Sequence, residues 1–219
     1  MINKHSFKKN FDQNLGKVIV ISDQDISRIS TWANDIAKVK TAETGYKNDS
    51  NKIRKRYYTG MLGEVALEYL LDTKFIDWDI GESKFYNDPD LRALGDPFST
   101  IGIKTVEKGN FPLVKKNPPG PEIINVKINN NEICVLGLVD VESLKTYTDD
   151  TLIIDPRVKA KGQKTGYWNL KAAIPFDSLE TLKDALNFSS CIKNKMCDFI
   201  AKSRYSLIYD QSIDWDMYD

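Results

Sequence analysis

The order of apolar and polar positions along the chain predicts short strands that alternate with amphipathic helices. Lys17 to Ile21 is an apolar, β-branched run that is typical of a strand. Ser22, with Asp25 three residues later, then has the pattern of a helix N-cap. Apolar residues follow at spacings of three and four, which is one face of a helix: Ile26, Ile29, Trp32, Ile36 and Val39.

A second helix is predicted from Thr59 to Leu71, after a polar loop over 41–51 and a basic segment over 52–58. Its apolar side consists of Leu62, Val65, Ala66, Tyr69 and Leu70. Gly60 and Gly63 stand in its first turn, where a missing side chain lets a helix approach a sheet closely.

The rest of the chain continues this pattern and indicates the α/β class. Alternation or β-branched runs predict strands at 75–80 and near 101–105, and a hairpin formed by 123–128 and 133–139. Further short strands are expected at 151–154 and 167–174. Asp177 or Ser178 caps a predicted helix, and a last helix is expected over 189–202.

Composition is that of an ordinary globular protein and bounds the kind of partner. The chain has 219 residues, of which 41% are hydrophobic and 28% charged, and we expect a single domain over 1–219. No apolar run approaches the ~20 residues that span a bilayer, and the start lacks the apolar centre of a signal peptide. We therefore expect a cytoplasmic protein with no membrane partner.

The charges and the scarce histidine and cysteine residues exclude several kinds of site. Basic and acidic residues number 31 each, which argues against a protein that coats nucleic acid through bulk charge. His5, in a polar N-terminal segment, is the only histidine, which rules out most Ser-His or Cys-His triads and any multi-histidine metal site. Cys134, Cys191 and Cys197 have no zinc spacing, and small buried residues are expected there.

The chemistry is expected in the stretch from Pro89 to Thr105. Asp90 follows a proline, a turn is predicted at 95–97, and Lys104 lies in an apolar run. A lysine in a half-buried strand requires a partner, because burying an unpaired ammonium is costly. Two strands joined by a turn could bring this carboxylate and this ammonium to one point, which suits a metal ion that positions a phosphodiester.

Residues 59–105 resemble the core of the PD-(D/E)xK nuclease superfamily, the restriction-endonuclease-like fold. The motifs that carry the resemblance are Gly60-Met61-Leu62-Gly63-Glu64 on a helix, Pro89-Asp90, and Gly102-Ile103-Lys104-Thr105 on the following strand. The resemblance implies a mixed central β-sheet flanked by α-helices, with the core over 17–190. A C-terminal helix and an acidic tail then occupy 191–219.

The resemblance also implies the site residues. Asp90 and Glu64 would hold Mg²⁺, for which Mn²⁺ can substitute, with the backbone carbonyl of Ile103 as a further ligand. Lys104 would orient the attacking water or stabilise the charge on the phosphorane. Asp96 is the alternative to Asp90 as catalytic and metal-binding residue, but its Gly-Asp-Pro context favours a turn, and we prefer Asp90.

One departure from the motif keeps two functions open. The acidic residue two positions before Lys104 is absent, and Gly102 stands there. The expected function is a Mg²⁺-dependent DNA endonuclease of restriction or phage type that acts on double-stranded DNA, for which a homodimer would suit cleavage of both strands. The alternative is an inactive nuclease-fold protein that binds nucleic acid or a protein partner, and a third reading is an unrelated α/β protein.

Basic residues outside this stretch are the expected contacts to the DNA backbone. Such contacts are largely insensitive to sequence and depend on salt. They are Lys52, Arg54, Lys55, Arg56, Lys108, Lys159, Lys161 and Lys164.

Overall fold

The computed structural model describes residues 7–8, 11–44, 50–80 and 89–193. His5, Cys197 and the predicted acidic tail lie outside these residues. Strands occupy β1 Lys17–Val20, β2 Gly102–Glu107, β3 Leu113–Lys115, β4 Glu122–Lys127, β5 Glu132–Val139, β6 Thr148–Asp149 and β7 Lys164–Tyr167. Helices occupy α1 Asp23–Thr44, α2 Ser50–Leu71, α3 Val141–Thr146, α4 Pro156–Lys161 and α5 Leu179–Lys193.

The strands form two sheets, and the larger one is mixed. Its strand order is β1-β5-β4-β2, with β2 parallel to β4 and the other neighbours antiparallel. The smaller sheet has the order β3-β7-β6 and is antiparallel. The chain is therefore an α/β protein with a mixed central sheet flanked by helices, as the sequence predicted.

Alternation along β4 divides the interior into two cores. Ile123 packs in one core with residues of α1, α2 and α5, while Ile124 and Val126 pack in the other with Val114 and Tyr167 of the smaller sheet. Successive strand side chains point to opposite faces, so the central sheet separates a helical layer from the smaller sheet.

Helix α2 lies close to the central sheet because of one glycine. A β-carbon on Gly63 would overlap the Thr105 hydroxyl and lie 2.8 Å from the Asn125 amide nitrogen. Gly60 has no atom within 4 Å of the same position. The predicted close approach therefore depends on Gly63 and not on Gly60.

Several predicted elements are confirmed. The run 17–21 forms β1, and the Ser22 hydroxyl accepts the Asp25 backbone N–H at 3.2 Å at the start of α1. The hairpin of β4 and β5 is also present. Ser178 caps α5 by accepting the Thr181 N–H at 3.2 Å.

Other boundaries were wrong. α1 continues to Thr44 and α2 begins at Ser50, so 41–44 and 50–51 of the predicted polar loop are helical, as is the basic segment 52–58. Residues 45–49 lie outside the described residues. α5 runs without a break to Lys193, through the start predicted for a separate last helix.

Three predicted strands are absent from the described residues. Residues 75–80 are irregular, because the Phe75 and Ile76 N–H groups donate to the Glu68 carboxylate and not to a neighbouring strand. Residues 150–152 form a 3-10 turn, and most of 167–174 follows β7 as irregular chain with another such turn. Among the described residues, no helix combines the length and apolar character needed to cross a membrane.

Candidate functional site

Asp90 lies in a turn and faces the start of β2. A strand was expected to carry the Asp90 carboxylate, but Asp90 has turn backbone and 92–94 form a 3-10 turn. Residues 81–88 lie outside the described residues. The Asp90 carboxylate accepts the Ile103 backbone N–H at 2.5 Å. This bond fixes the carboxylate beside the strand that carries Lys104.

Lys104 meets a carboxylate that the sequence did not reveal. Its ammonium lies 3.4 Å from Glu122 Oε1 on the neighbouring strand, and it also donates to the Ile103 carbonyl at 3.2 Å. Gly102 and Glu122 are paired in the parallel register of β2 and β4. Glu122 therefore supplies a carboxylate beside the position where the motif has its acidic residue.

The backbone of Gly102 is the point at which the three side chains meet. A β-carbon there would lie 3.6 Å from Glu122 Cγ, 3.7 Å from Asp90 Oδ2 and 3.8 Å from Lys104 Nζ. These are ordinary van der Waals distances, so the space beside Gly102 is bordered by two carboxylates and one ammonium.

Burial and mutual repulsion raise the pKa of the carboxyl groups at this site. Loss of water raises the pKa of Glu122, which is 5% exposed, although Lys104 acts in the opposite direction. Asp90 is exposed as a residue, but desolvation of its carboxyl end still raises its pKa, again opposed by Lys104.

Glu64 belongs to the same electrostatic group from helix α2. Desolvation, followed by the charges of Asp90 and Glu68, raises the pKa of Glu64 to about 8, while Lys104 lowers it. The sequence prediction therefore named groups that influence one another directly: Glu64, Asp90 and Lys104.

The Asp96 carboxylate accepts a hydrogen bond from the Ser99 hydroxyl within the turn that precedes β2. Of the two alternatives, Asp90 is the one for which an interaction with Lys104 is observed.

The fit of a metal ion rests on two carboxylates. Within 7–8, 11–44, 50–80 and 89–193, no three His, Cys, Asp or Glu side chains form a group that could hold a metal ion. However, Mg²⁺ commonly uses one or two carboxylates and completes its shell with water and substrate oxygens. Glu122 Oε2 is buried and has no hydrogen-bond partner, which is the condition expected of an oxygen that binds a cation.

The predicted nucleic-acid contacts are distributed over several surfaces. The charges of Lys104 and Glu122 act on Lys164, which places Lys164 near the site, and the charge of Arg56 also acts on Lys164. Lys55 is bound to Glu107 at 2.9 Å, and Lys108 lies 6.0 Å from the Phe11 ring. Lys52 and Arg54 are exposed on α2, and Lys159 and Lys161 are exposed on α4.

Glu122 is the site residue that sequence reasoning missed. It lies between Pro121 and the predicted strand 123–128, a position at which a carboxylate is expected to be exposed at the surface. Its only sequence signal is a carboxylate directly before the apolar residues Ile123 and Ile124.

Comparison of the chain with protein-family models, with curated proteins and with solved structures gave no match.

Proposed function

We propose that this protein is a metal-dependent endonuclease that hydrolyses DNA phosphodiester bonds. The observation that carries the proposal is the convergence of Asp90, Glu122 and Lys104 around the Gly102 backbone. Together with Glu64 on helix α2, this group supports a restriction-endonuclease-like core in which Glu122 replaces the acidic residue missing at position 102.

Asp90 and Glu122 are the residues that would hold Mg²⁺ or Mn²⁺, with Glu64 and the Ile103 carbonyl as further candidate ligands. When bound, such an ion polarises the phosphoryl oxygen and lowers the pKa of a coordinated water. The unpaired Glu122 Oε2 and the hydrogen bond from Ile103 to Asp90 support this assignment, because both carboxylates are held at one side of the Gly102 backbone.

Lys104 would act on the phosphate itself. Its side chain is 32% exposed, so its ammonium can reach a substrate and still remain beside Glu122. In hydrolysis, water adds to phosphorus, the P–O ester bond breaks, and negative charge grows on the phosphoryl oxygens. An ammonium fixed beside that position stabilises this charge.

A second function has one observation in its favour. Position 102 lacks a carboxylate, and the Lys104 ammonium is already occupied by Glu122 and the Ile103 carbonyl. This arrangement also suits an inactive protein that binds nucleic acid or a protein partner.

Plasmid cleavage with Mg²⁺ or Mn²⁺ tests the choice. We expect the wild type to cut supercoiled DNA and Lys104→Ala to lose this activity, with Lys145→Ala, an exposed lysine on α3, as the matched control. Discrete fragments would indicate sequence specificity, for which a homodimer would suit cleavage of both strands. A folded wild type that leaves modified and unmodified DNA intact would refute the endonuclease and favour the binding function.

A further inference from the structure

Two lysines stand opposite each other on the smaller sheet. Lys115 of β3 is the register partner of Lys164 of β7, and both side chains are exposed. Like charges that face each other on adjacent antiparallel strands are destabilising. A sheet that retains such a pair is expected to gain something else from it.

The pair lies beside the carboxylate site. Lys115 is one of the charges that act on Glu122, and Lys164 interacts with Lys104, Arg56 and Glu122. The pKa of Lys164 is lowered, first by desolvation and then by the repulsion of Arg56 and Lys104. The strands of the smaller sheet therefore bring their cations toward the edge at which β2 and β4 begin.

These cations are not neutralised within the part of the chain that the structure describes. No ion pair is formed there by Arg56, Lys115 or Lys164, although the neighbouring Lys116 is bound to Asp150 at 2.7 Å. The Arg56 guanidinium lies 5.4 Å from the centre of the Tyr57 ring. Among the described residues these three cations form no ion pair, although the charge of Glu122 acts on Lys115 and Lys164. Next to the lysine-carboxylate pair they form a positively charged surface that is complementary to an anion.

We propose that Lys115, Lys164 and Arg56 form a subsite for a backbone phosphodiester next to the one that reacts. This inference rests on the proposed function for its position beside the reacting phosphate. Nucleic-acid phosphates recur along each strand, so cations beside a hydrolysis site meet the adjacent phosphate and hold the strand in register. The remaining basic residues named from the sequence lie outside this subsite.

Salt-dependent binding of a 20-base-pair duplex, measured without metal in an Asp90→Asn background, tests the subsite. Each lost phosphate contact lowers the slope of log K against log salt by about 0.9. We expect Lys115→Ala with Lys164→Ala to lower the slope by about 1.8 and the affinity at least tenfold. Lys171→Ala with Lys183→Ala removes the same charge from exposed positions and should change neither.

The outcome separates this inference from the proposed function. An unchanged slope in the Lys115 and Lys164 double variant would overturn the subsite, whether or not the wild type cleaves DNA. A lowered slope in a protein that never cleaves would support the subsite and refute the hydrolysis. Duplexes with 5′-phosphate and with 5′-hydroxyl ends should respond alike, and a response confined to 5′-phosphate ends would overturn the backbone assignment in favour of a terminal phosphate.

Discussion

Gly102 and Glu122 are register partners on the parallel strands β2 and β4, and the Glu122 side chain lies beside the space that Gly102 leaves free. If Glu122 supplies the motif carboxylate, Glu122→Ala should lower the cleavage rate at least 100-fold. Adding Gly102→Asp should restore part of the activity, because a side chain at that position would lie between Asp90 and Lys104 at ordinary contact distances. Plasmid nicking rates provide the measurement.

The matched control for this pair is Glu142→Gln, which changes an exposed carboxylate on α3. A Glu122→Ala variant that is folded and fully active would show that Glu122 does not take part in the reaction. Restoration by Gly102→Asp is the more specific result, since a loss of stability at position 122 would not be repaired by a carboxylate on the other strand.

The raised pKa of Glu64 makes the stability of the metal-free protein depend on pH. The carboxyl group titrates near 4.5 when unperturbed and near 8 in the folded chain, so the folded state binds this proton more tightly. Its stabilising contribution is complete below the unperturbed pKa and is lost as pH rises toward 8. Glu64→Gln should therefore be more stable than the wild type at pH 9, by roughly 5 kcal/mol.

Urea unfolding in EDTA at several pH values measures this effect. The difference between Glu64→Gln and the wild type should shrink steadily between pH 9 and pH 5. Two stability profiles that remain parallel over that range would show that Glu64 titrates normally. Glu142→Gln should follow the wild type throughout.

Gly63 and Gly60 form a natural pair for testing the contact between α2 and the central sheet. Gly63→Ala places a methyl group against Thr105 and should destabilise the protein by about 1–3 kcal/mol. Gly60→Ala meets no neighbouring atom and should stabilise the helix by about 0.5–1 kcal/mol. Thermal unfolding monitored by circular dichroism should shift in opposite directions for the two variants, and equal shifts would contradict the proposed contact.

Glu68 holds the chain that leaves α2. Its buried carboxylate accepts the Phe75 and Ile76 N–H groups at 2.8 and 3.0 Å and binds the Lys74 ammonium at 2.8 Å. Glu68→Ala should cost about 3 kcal/mol, because two backbone donors lose their acceptor. Lys74→Ala should cost less than about 1 kcal/mol, because its side chain is 81% exposed. Similar losses of unfolding free energy in both variants would assign the effect to the ion pair alone.

The sequence predicted the elements whose signals are local. Ser22 and Ser178 cap helices through neighbouring backbone groups, and the two apolar runs on either side of the turn at 129–131 require only a hairpin. The prediction of a strand at 75–80 was wrong. The Phe75 and Ile76 N–H groups donate to the carboxylate of Glu68, seven and eight residues earlier, and not to a neighbouring strand.

Part of the candidate site could be predicted in the same way, and part could not. Asp90 and Lys104 stand in a recognisable order along the chain, and they lie together in the structure. Glu122 is eighteen residues after Lys104 in the sequence and joins the site only through the register of the parallel strands β2 and β4. The pairing of Lys115 with Lys164 likewise depends on the register of β3 and β7. Spacing in the sequence does not determine such registers.

The pairing of β1 with β5 has a consequence for how the chain is made. Lys17 is the register partner of Val135, so the first strand must wait for 118 more residues before its neighbour exists. At the usual pace of a ribosome this delay is roughly ten seconds. During that time Val18 and Val20, which stay partly exposed even in the finished sheet, belong to an unpaired hydrophobic segment that a chaperone could bind.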